Sequence, residues 1–410
     1  MLVKKIESFN LKFVGIKIPE ISELELTELC KESTEVLPRD VFLSFILNLS
    51  YLTLNKGTIG RISIETVHRL ITKSSVNEEE IVKWLIENLQ PLLLRTEDRR
   101  RDTVKSGLRP SVGMSLKDDE ARRIWKERGG IRSIPLFYVV LLHLQHRNVS
   151  SNLWWITPGI LNLLDDTTDL AGIKLRGVLL LRTFLSNAFK DQTHWISFKE
   201  TGLFKLYEPI LLNMCYYLPP SYSSDESLKV WREVFPTLNS LYTTQFKNRE
   251  IICRKYQGKF LSEFLLQQAI PRINLTSETL AIYTLDSLIS LMKILDTSTL
   301  YHMSRIIYTL GEYLLRNPFF TAFEGLLRKT LDTLEVLVAV CPPERLSAHK
   351  FDLLALILIG FDKCKQEGKL TDELMNNFRR LLQSLEAKGC DYSGDKEEVL
   401  KYKNVGELFC

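Results

Sequence analysis

Asp165 and Asp166 are adjacent carboxylates, the residue types that serve as a general acid and base or hold a cation. Neighbouring positions at a helix end point about 100° apart, and no His or Glu at ligand spacing accompanies them. Capping and helix packing therefore explain the pair better than catalysis. His143 and His146 lie three apart in the apolar stretch that begins at Ile134, so one helical face carries both and offers two metal positions. A third local ligand is missing, which favours packing or surface histidines. His68, His194, His302 and His349 are isolated.

Segment 95–132 holds 12 Lys or Arg against 7 Asp or Glu, including the triplet Arg99, Arg100 and Arg101. Such a patch, with Trp125 in it, can pair with phosphates and stack a base. Its acids interrupt it, and it lacks a nucleic-acid reading motif. A loop ordered by a partner and a solvated helix face remain open. Trp154 and Trp155 form an aromatic pair that fits either a partner hot spot or packing between helices. No G-x-S-x-G, P-loop, G-x-G-x-x-G or H-E-x-x-H motif occurs. No catalytic residue, metal ligand or cofactor is therefore assigned, and the chain is expected not to be an enzyme.

The elements that must position these groups are helices. The 410 residues include only 19 Gly and 14 Pro, and 45% are hydrophobic against 25% charged. That is a folded composition poor in helix breakers. The net charge of +4 is carried by segment 95–132, so the remainder is close to neutral. Seven scattered cysteines without a C-x-x-C pair fit a reducing compartment. The apolar runs Ile134 to Leu142 and Leu353 to Phe361 are far shorter than the roughly 18 residues a membrane span needs, and Lys4, Lys5 and Glu7 do not open a secretory leader. A protein inside the cell and off the membrane is expected.

Apolar residues recur at helical spacing from about residue 200 onward, as at Leu285, Leu288, Ile289, Met292 and Leu295. Ser223 with Glu226 and Asn77 with Glu80 have the spacing of helix starts, whereas Pro219-Pro220, Asn317-Pro318 and Pro342-Pro343 mark ends. Helices are expected near 22–35, 39–54, 63–74 and 77–94. Paired helices are expected at 203–218 with 224–247, 276–296 with 298–315, and 320–341 with 347–365. Leu11 to Ile18 reads as an extended stretch. Hairpins of this kind build either a compact bundle or a stacked solenoid.

The passage from Trp154 to Leu185 has the grammar of a HEAT hairpin. Pro158 opens a first helix, Asp165-Asp166 ends it, and a second helix carries Ile173, Lys174, Gly177 and Leu180. Lys174 or Arg176 is expected to reach a carboxylate, and Gly177 to let the two helices approach closely. On Pro158, Leu161, Leu164, the Asp pair, Lys174 and Gly177, the passage resembles the Tel-two-interacting protein two family, the smallest subunit of the Triple-T cochaperone complex. Arg109-Pro110 and Arg123-x-Trp125-Lys126 are compatible with the basic segment before that motif.

The resemblance implies an all-α solenoid of HEAT-like hairpins. Its regions would be an N-terminal helical part at 1–94, a basic loop or insertion at 95–132, the array at 133–388 and a mobile tail at 389–410. It further implies a scaffold subunit, cytoplasmic and nuclear, that binds the larger Tel-two-interacting protein one and through it Tel two. That complex works with heat-shock protein 90 to mature and stabilise phosphatidylinositol-3-kinase-related kinases, and so bears on telomere maintenance and the DNA damage response. Pro158, Asp165, Asp166, Lys174 and Gly177 would support the structure or a partner; Trp154, Trp155, Arg99, Arg100 and Arg101 would offer a partner surface. The alternative is an importin-like or RNA-associated helical-repeat protein, which the near neutrality of most of the chain does not favour.

Overall fold

Three helix starts of the second unit are set by short polar side chains that accept the amides a first turn leaves unpaired. Ser223 accepts from the Glu226 amide while Glu226 accepts from the Ser223 amide, the reciprocal box its spacing predicts. Ser277 and Thr371 accept from the amides of Leu280 and Leu374 in the same way. The computed structural model describes residues 2–31, 37–94, 116–188, 201–402 and 405–409, and among these every regular element is helical. The chain divides into two compact units, Met1–Thr201 and Gly202–Cys410.

The first unit contains α1 (Leu2–Leu11), α2 (Glu23–Lys31), α3 (Arg39–Ser50), α4 (Thr58–Lys73) and α5 (Glu78–Leu94). After these come α6 (Leu116–Glu127), α7 (Ser133–His143), α8 (Val149–Leu164) and α9 (Leu175–Thr183). Helix α1 packs on α3, α2 on α4, α5 on α7 and α8 on α9. The inward faces supply Phe9, Phe45, Leu85, Phe137, Leu164 and Val178, all fully buried.

The second unit is a solenoid built in two rows. Its forward helices are α11 (Ser224–Gln245), which follows α10 (Leu203–Cys215), and α13 (Glu278–Leu295), α15 (Glu324–Val340) and α18 (Asp372–Ala387). Each forward helix packs on the next. The return row begins with α12 (Glu250–Lys259), which continues through a π-helical stretch, Phe260–Ala269, to Ile273. It proceeds through the 3-10 turn Asp296–His302, α14 (Met303–Leu310) and the π turn Gly311–Leu315, then α16 (Pro343–Ala348) and α17 (Lys350–Gln366). Neighbouring segments of this row pack in the same order.

Polar contacts tie one hairpin to the next. Glu278 Oε1 accepts from the Leu326 amide, so a carboxylate of one forward helix caps the first turn of its neighbour. Lys363 Nζ donates to the carbonyls of Arg316 (3.0 Å) and Asn317 (2.9 Å), closing the end of the preceding return segment. Asp286 with Lys329 (2.9 Å) and Arg380 with Glu335 (2.7 Å) bridge forward helices at the solvent edge. Exposed pairs of that kind contribute about 0–1 kcal/mol each. The main stabilisation is the buried apolar stripe, as in α13, where Leu280, Leu285, Leu288, Met292 and Leu295 face inward.

The expected helices appear among the described residues, the one expected from 63 starting at Thr58 and the one expected at 298–315 divided into a 3-10 turn, α14 and a π turn; residues 32–35 of the first expected helix lie outside the described residues. Several details differ. Leu11 to Ile18 forms turns and bends rather than an extended strand: Phe13 is buried, and Val14 and Ile16 face solvent. Pro158 lies inside α8, not at its start, because Val149, Trp155 and Ile156 bury the turns before it. The helices at 250–273 and 372–387 complete the hairpin series that the pairing left open. Segment 95–132 contains α6, while residues 95–115 with Arg99, Arg100, Arg101, Arg109 and Pro110 lie outside the described residues. Beyond residue 389 the chain forms the helix α19 (Ser393–Tyr402), and Cys390, Tyr392, Val405 and Leu408 are buried.

Lys363→Met should lower unfolding free energy by about 1–2 kcal/mol, because it strips a charge-assisted donor from a helix end. Urea denaturation midpoints of the two proteins measure this.

Candidate functional site

Helix α8 ends at Asp165, whose amide donates to the Leu161 carbonyl, and α9 is entered through a π turn, Leu170–Lys174. The five residues between them, Asp165-Asp166-Thr167-Thr168-Asp169, make the tightest polar node of the first unit. Asp166 is buried, and its Oδ1 accepts from the Thr168 amide (2.8 Å), the Thr168 hydroxyl (2.9 Å) and the Asp169 amide (2.8 Å). Asp169 caps the next helix by accepting from the Gly172 amide at 2.7 Å. An Asx-type turn followed by a cap is what short carboxylates favour where a helix must stop and another begin.

The basic helix α6 docks on this node. Arg122 donates to the Asp165 carbonyl at 2.8 Å and stands 3.8 Å from the Asp166 carboxylate. One turn further, Lys126 Nζ donates to the Thr168 hydroxyl at 2.8 Å. Trp125 Nε1 donates to the Leu92 carbonyl at the end of α5, and its ring lies over Gly130, where a Cβ would come within 2.1 Å of it. Arg123 pairs with Glu127 along its own helix. Arg122, Trp125 and Lys126 of the basic segment thus bind this chain's own backbone and turn, and Arg132 donates to the carbonyls of Gly15 and Phe13.

Asp165 and Asp166, indistinguishable by type, have different surroundings: the first is exposed at the helix end, the second is buried with three donors on its Oδ1. Gly177 sits where a Cβ would lie 3.0 Å from Leu163 Cβ and 3.1 Å from the Leu164 amide nitrogen, the close approach expected of it. Lys174 begins α9 as its N-cap residue. Arg176 donates to the Leu54 carbonyl at 3.2 Å and so binds a backbone oxygen instead of a carboxylate. The tryptophans divide: Trp155 is buried against Phe137 and donates to Asn152, and Trp154 is 54% exposed.

His143 and His146 do not share a face, because α7 ends at His143 and His146 begins a 3-10 turn. His143 instead pairs with Glu78 at 3.2 Å and lies beside the His68 ring. Burial pushes its pKa down, Glu78 opposing and His68 adding to the effect. Its Nε2 is buried without a hydrogen-bond partner among the described residues, as suits a neutral imidazole. Burial likewise raises the thiols of Cys341 and Cys364 to about 11, far from the depressed values of reactive cysteines.

The node orients helices and holds no converging acid, base and nucleophile. Sequence reasoning missed Arg122 and Asp169. The available signals were the Arg122-Arg123 doublet one turn before Lys126, and the second acid of the Asp-Thr-Thr-Asp run.

A sequence profile described as the Tti2 family matches residues 45–322, which span α6, the node and most of the second unit's early hairpins. TEL2-interacting protein 2 of Saccharomyces cerevisiae (strain ATCC 204508 / S288c) is 44% identical over 347 residues, covering 83% of this chain and 82% of that protein. No solved structure matches the chain.

The two aspartates should respond unequally to truncation. Asp166→Ala should cost about 2–3 kcal/mol by leaving two amides and Arg122 short of an acceptor, and Asp165→Ala should stay within about 0.5 kcal/mol; chemical denaturation of both variants checks the contrast. Because folding depresses the His143 pKa, the unfolded chain binds this proton first as pH falls. Stability should therefore decline as pH drops below about 6.5. His143→Gln should flatten that decline, read from denaturation midpoints at pH 7.5 and 5.5.

Proposed function

The chain belongs to the Tti2 family, and from that premise we propose that it is a non-enzymatic scaffold subunit of a Tel2–Tti1–Tti2 type cochaperone complex. In this reading it holds the larger Tel-two-interacting protein one and, through it, Tel two. The complex works with heat-shock protein 90 to mature and stabilise phosphatidylinositol-3-kinase-related kinases in the cytoplasm and nucleus. The yeast relative is named for an interaction with TEL2, which this reading extends to the present chain.

The supporting observation is what the stacked helices leave outside. Successive elements of the return row carry large apolar side chains on their outer faces: Ile251 on α12, Tyr301 on the following 3-10 turn (86% exposed), Tyr308 on α14 and Phe351 on α17. Aromatic side chains at exposed positions supply the anchors that protein interfaces use. Exposed Trp154 on α8 is a further anchor in the first unit. A row of hairpins distributes such contacts over a long surface, which suits holding another helical-repeat protein.

Binding of this sort stabilises by mass action: a ligand that prefers the folded partner shifts it toward the folded state. The nucleic-acid alternative loses support where Arg122 and Lys126 are committed to the Asp166 turn. No described helix is long and apolar enough to cross a membrane.

Tagged full-length chain should retain two larger helical-repeat proteins in equal amounts, identified by mass spectrometry. Its depletion from cells should lower the steady-state levels of those partners and of the client kinases. Unchanged levels of all of them would contradict the assignment.

A further inference from the structure

Forward helices α11 and α13 do not close completely over the end of the return helix α12. Between them lies a groove of about 250 Å³, lined in part by the aromatic side chains Phe235, Tyr242, Phe260 and Tyr283. Its floor contains Gln257, only 2% exposed. Gln257 Nε2 donates to Asn239 Oδ1 at 2.7 Å, and Gln257 Oε1 has no hydrogen-bond partner among the described residues. A buried acceptor in that state is costly unless something arrives to donate to it. Immediately beyond Gln257 the helix widens into the π-helical stretch that begins at Phe260, a local form found often at functional sites.

The other polar groups of the groove share this bias. Ser287 and Ser290 donate their hydroxyl protons to the carbonyls of Tyr283 and Asp286, so the hydroxyl oxygens remain as acceptors. The Tyr242 and Tyr283 hydroxyls donate to Glu208 and to the Trp231 carbonyl. At the mouth stands the Asp286 carboxylate, with one oxygen on Lys329. Against these acceptors stand only the remaining hydrogens of the two carboxamides. The groove thus asks for a flat or elongated apolar body ending in several donors, which meet the acceptors of the floor and the Asp286 carboxylate that Lys329 already neutralises in part.

We propose that this groove seats an arginine side chain presented by a protein partner. A guanidinium is planar, always charged and carries five donors, so it can stack between aromatic side chains and donate to Gln257, Ser287 and Asp286. An ammonium is a compact, strongly hydrated point charge and matches the aromatic walls less well. A carboxylate or phosphate would meet acceptors and a like charge. The inference rests on the scaffold reading only for the source of the arginine; the groove's chemistry stands without it.

The test is a titration of the full-length chain, methyl-labelled at Ile and Leu, with N-acetyl-arginine N-methylamide, followed by NMR. The methyls of Leu238, Leu291 and Ile294 line the groove and report on it. Saturable shifts at these methyls are expected, with binding weaker by about tenfold for the neutral citrulline analogue of the same shape. Gln257→Leu should weaken the arginine probe by a similar factor, and Gln257→Glu, which keeps an acceptor, should not. Ser290→Tyr, at the exposed rim, should block the groove without unfolding the chain. Absence of shifts up to the solubility limit of the probe, or an equal response to citrulline, overturns the proposal. Affinity for the purified partner should fall in parallel in Gln257→Leu and Ser290→Tyr. If the probe binds but partner affinity is unchanged in both, the docking proposal fails while the scaffold role stands. If the wild-type chain does not bind the partner at all, the scaffold role fails and the probe titration alone decides the groove.

Discussion

A helical hairpin of this chain cannot cover its own apolar stripe, and that constraint shapes nearly everything else in the molecule. In the second unit the stripe of α13 is covered by α11 on one side and α15 on the other, and each of those needs the next. Burial fixes the order of the rows, and the row leaves one face of every helix to solvent. The polar contacts between hairpins, such as Glu278 on the first turn of α15 and Lys363 on the preceding return segment, set the register of the stack. The apolar stripe supplies most of the energy.

In the first unit the same demand is met at a single crowded point. Gly177 lets α9 lie almost on the backbone of α8, so the turn between them must be short and its amides must be satisfied at once. Asp166 does this from a buried position, and the charge it brings inside is balanced by Arg122 of α6. A paired carboxylate that reads as chemistry in the sequence is, in three dimensions, the pin that holds three helices. Its Oδ1 is occupied by two amides and a hydroxyl and its Oδ2 faces Arg122 at 3.8 Å, the arrangement of a structural pin.

Helix positions were legible because periodicity and caps are local properties. Ser223 with Glu226 forms the box its spacing predicts, and Leu285, Leu288, Met292 and Leu295 of α13 face inward as the pattern names them, whereas Ile289 is only half-buried. The close approach at Gly177 was legible too. Pro158 was misread as a helix start because a proline tolerated at a first turn and one held inside a helix by tertiary packing look alike in sequence. The difference between Asp165 and Asp166, and the split between exposed Trp154 and buried Trp155, depend on which side of a helix meets its neighbour. The Arg122 contact joins residues more than forty positions apart. The π-helical stretch at Phe260–Ala269 carries no local signature, and neither does the groove beside it.

Together these features fit the proposal that the working parts of the protein are its surfaces. The inner faces of its helices are apolar, burial favours the neutral forms of its thiols and of His143, and large apolar side chains remain outside. Hydrogen–deuterium exchange of the full-length chain, alone and mixed with the helical-repeat partner proposed for it, tests that description most directly. The account predicts slowed exchange over several successive helices in the bound state. Identical exchange in the two states, or protection confined to one small pocket of the kind that holds a substrate, would contradict it.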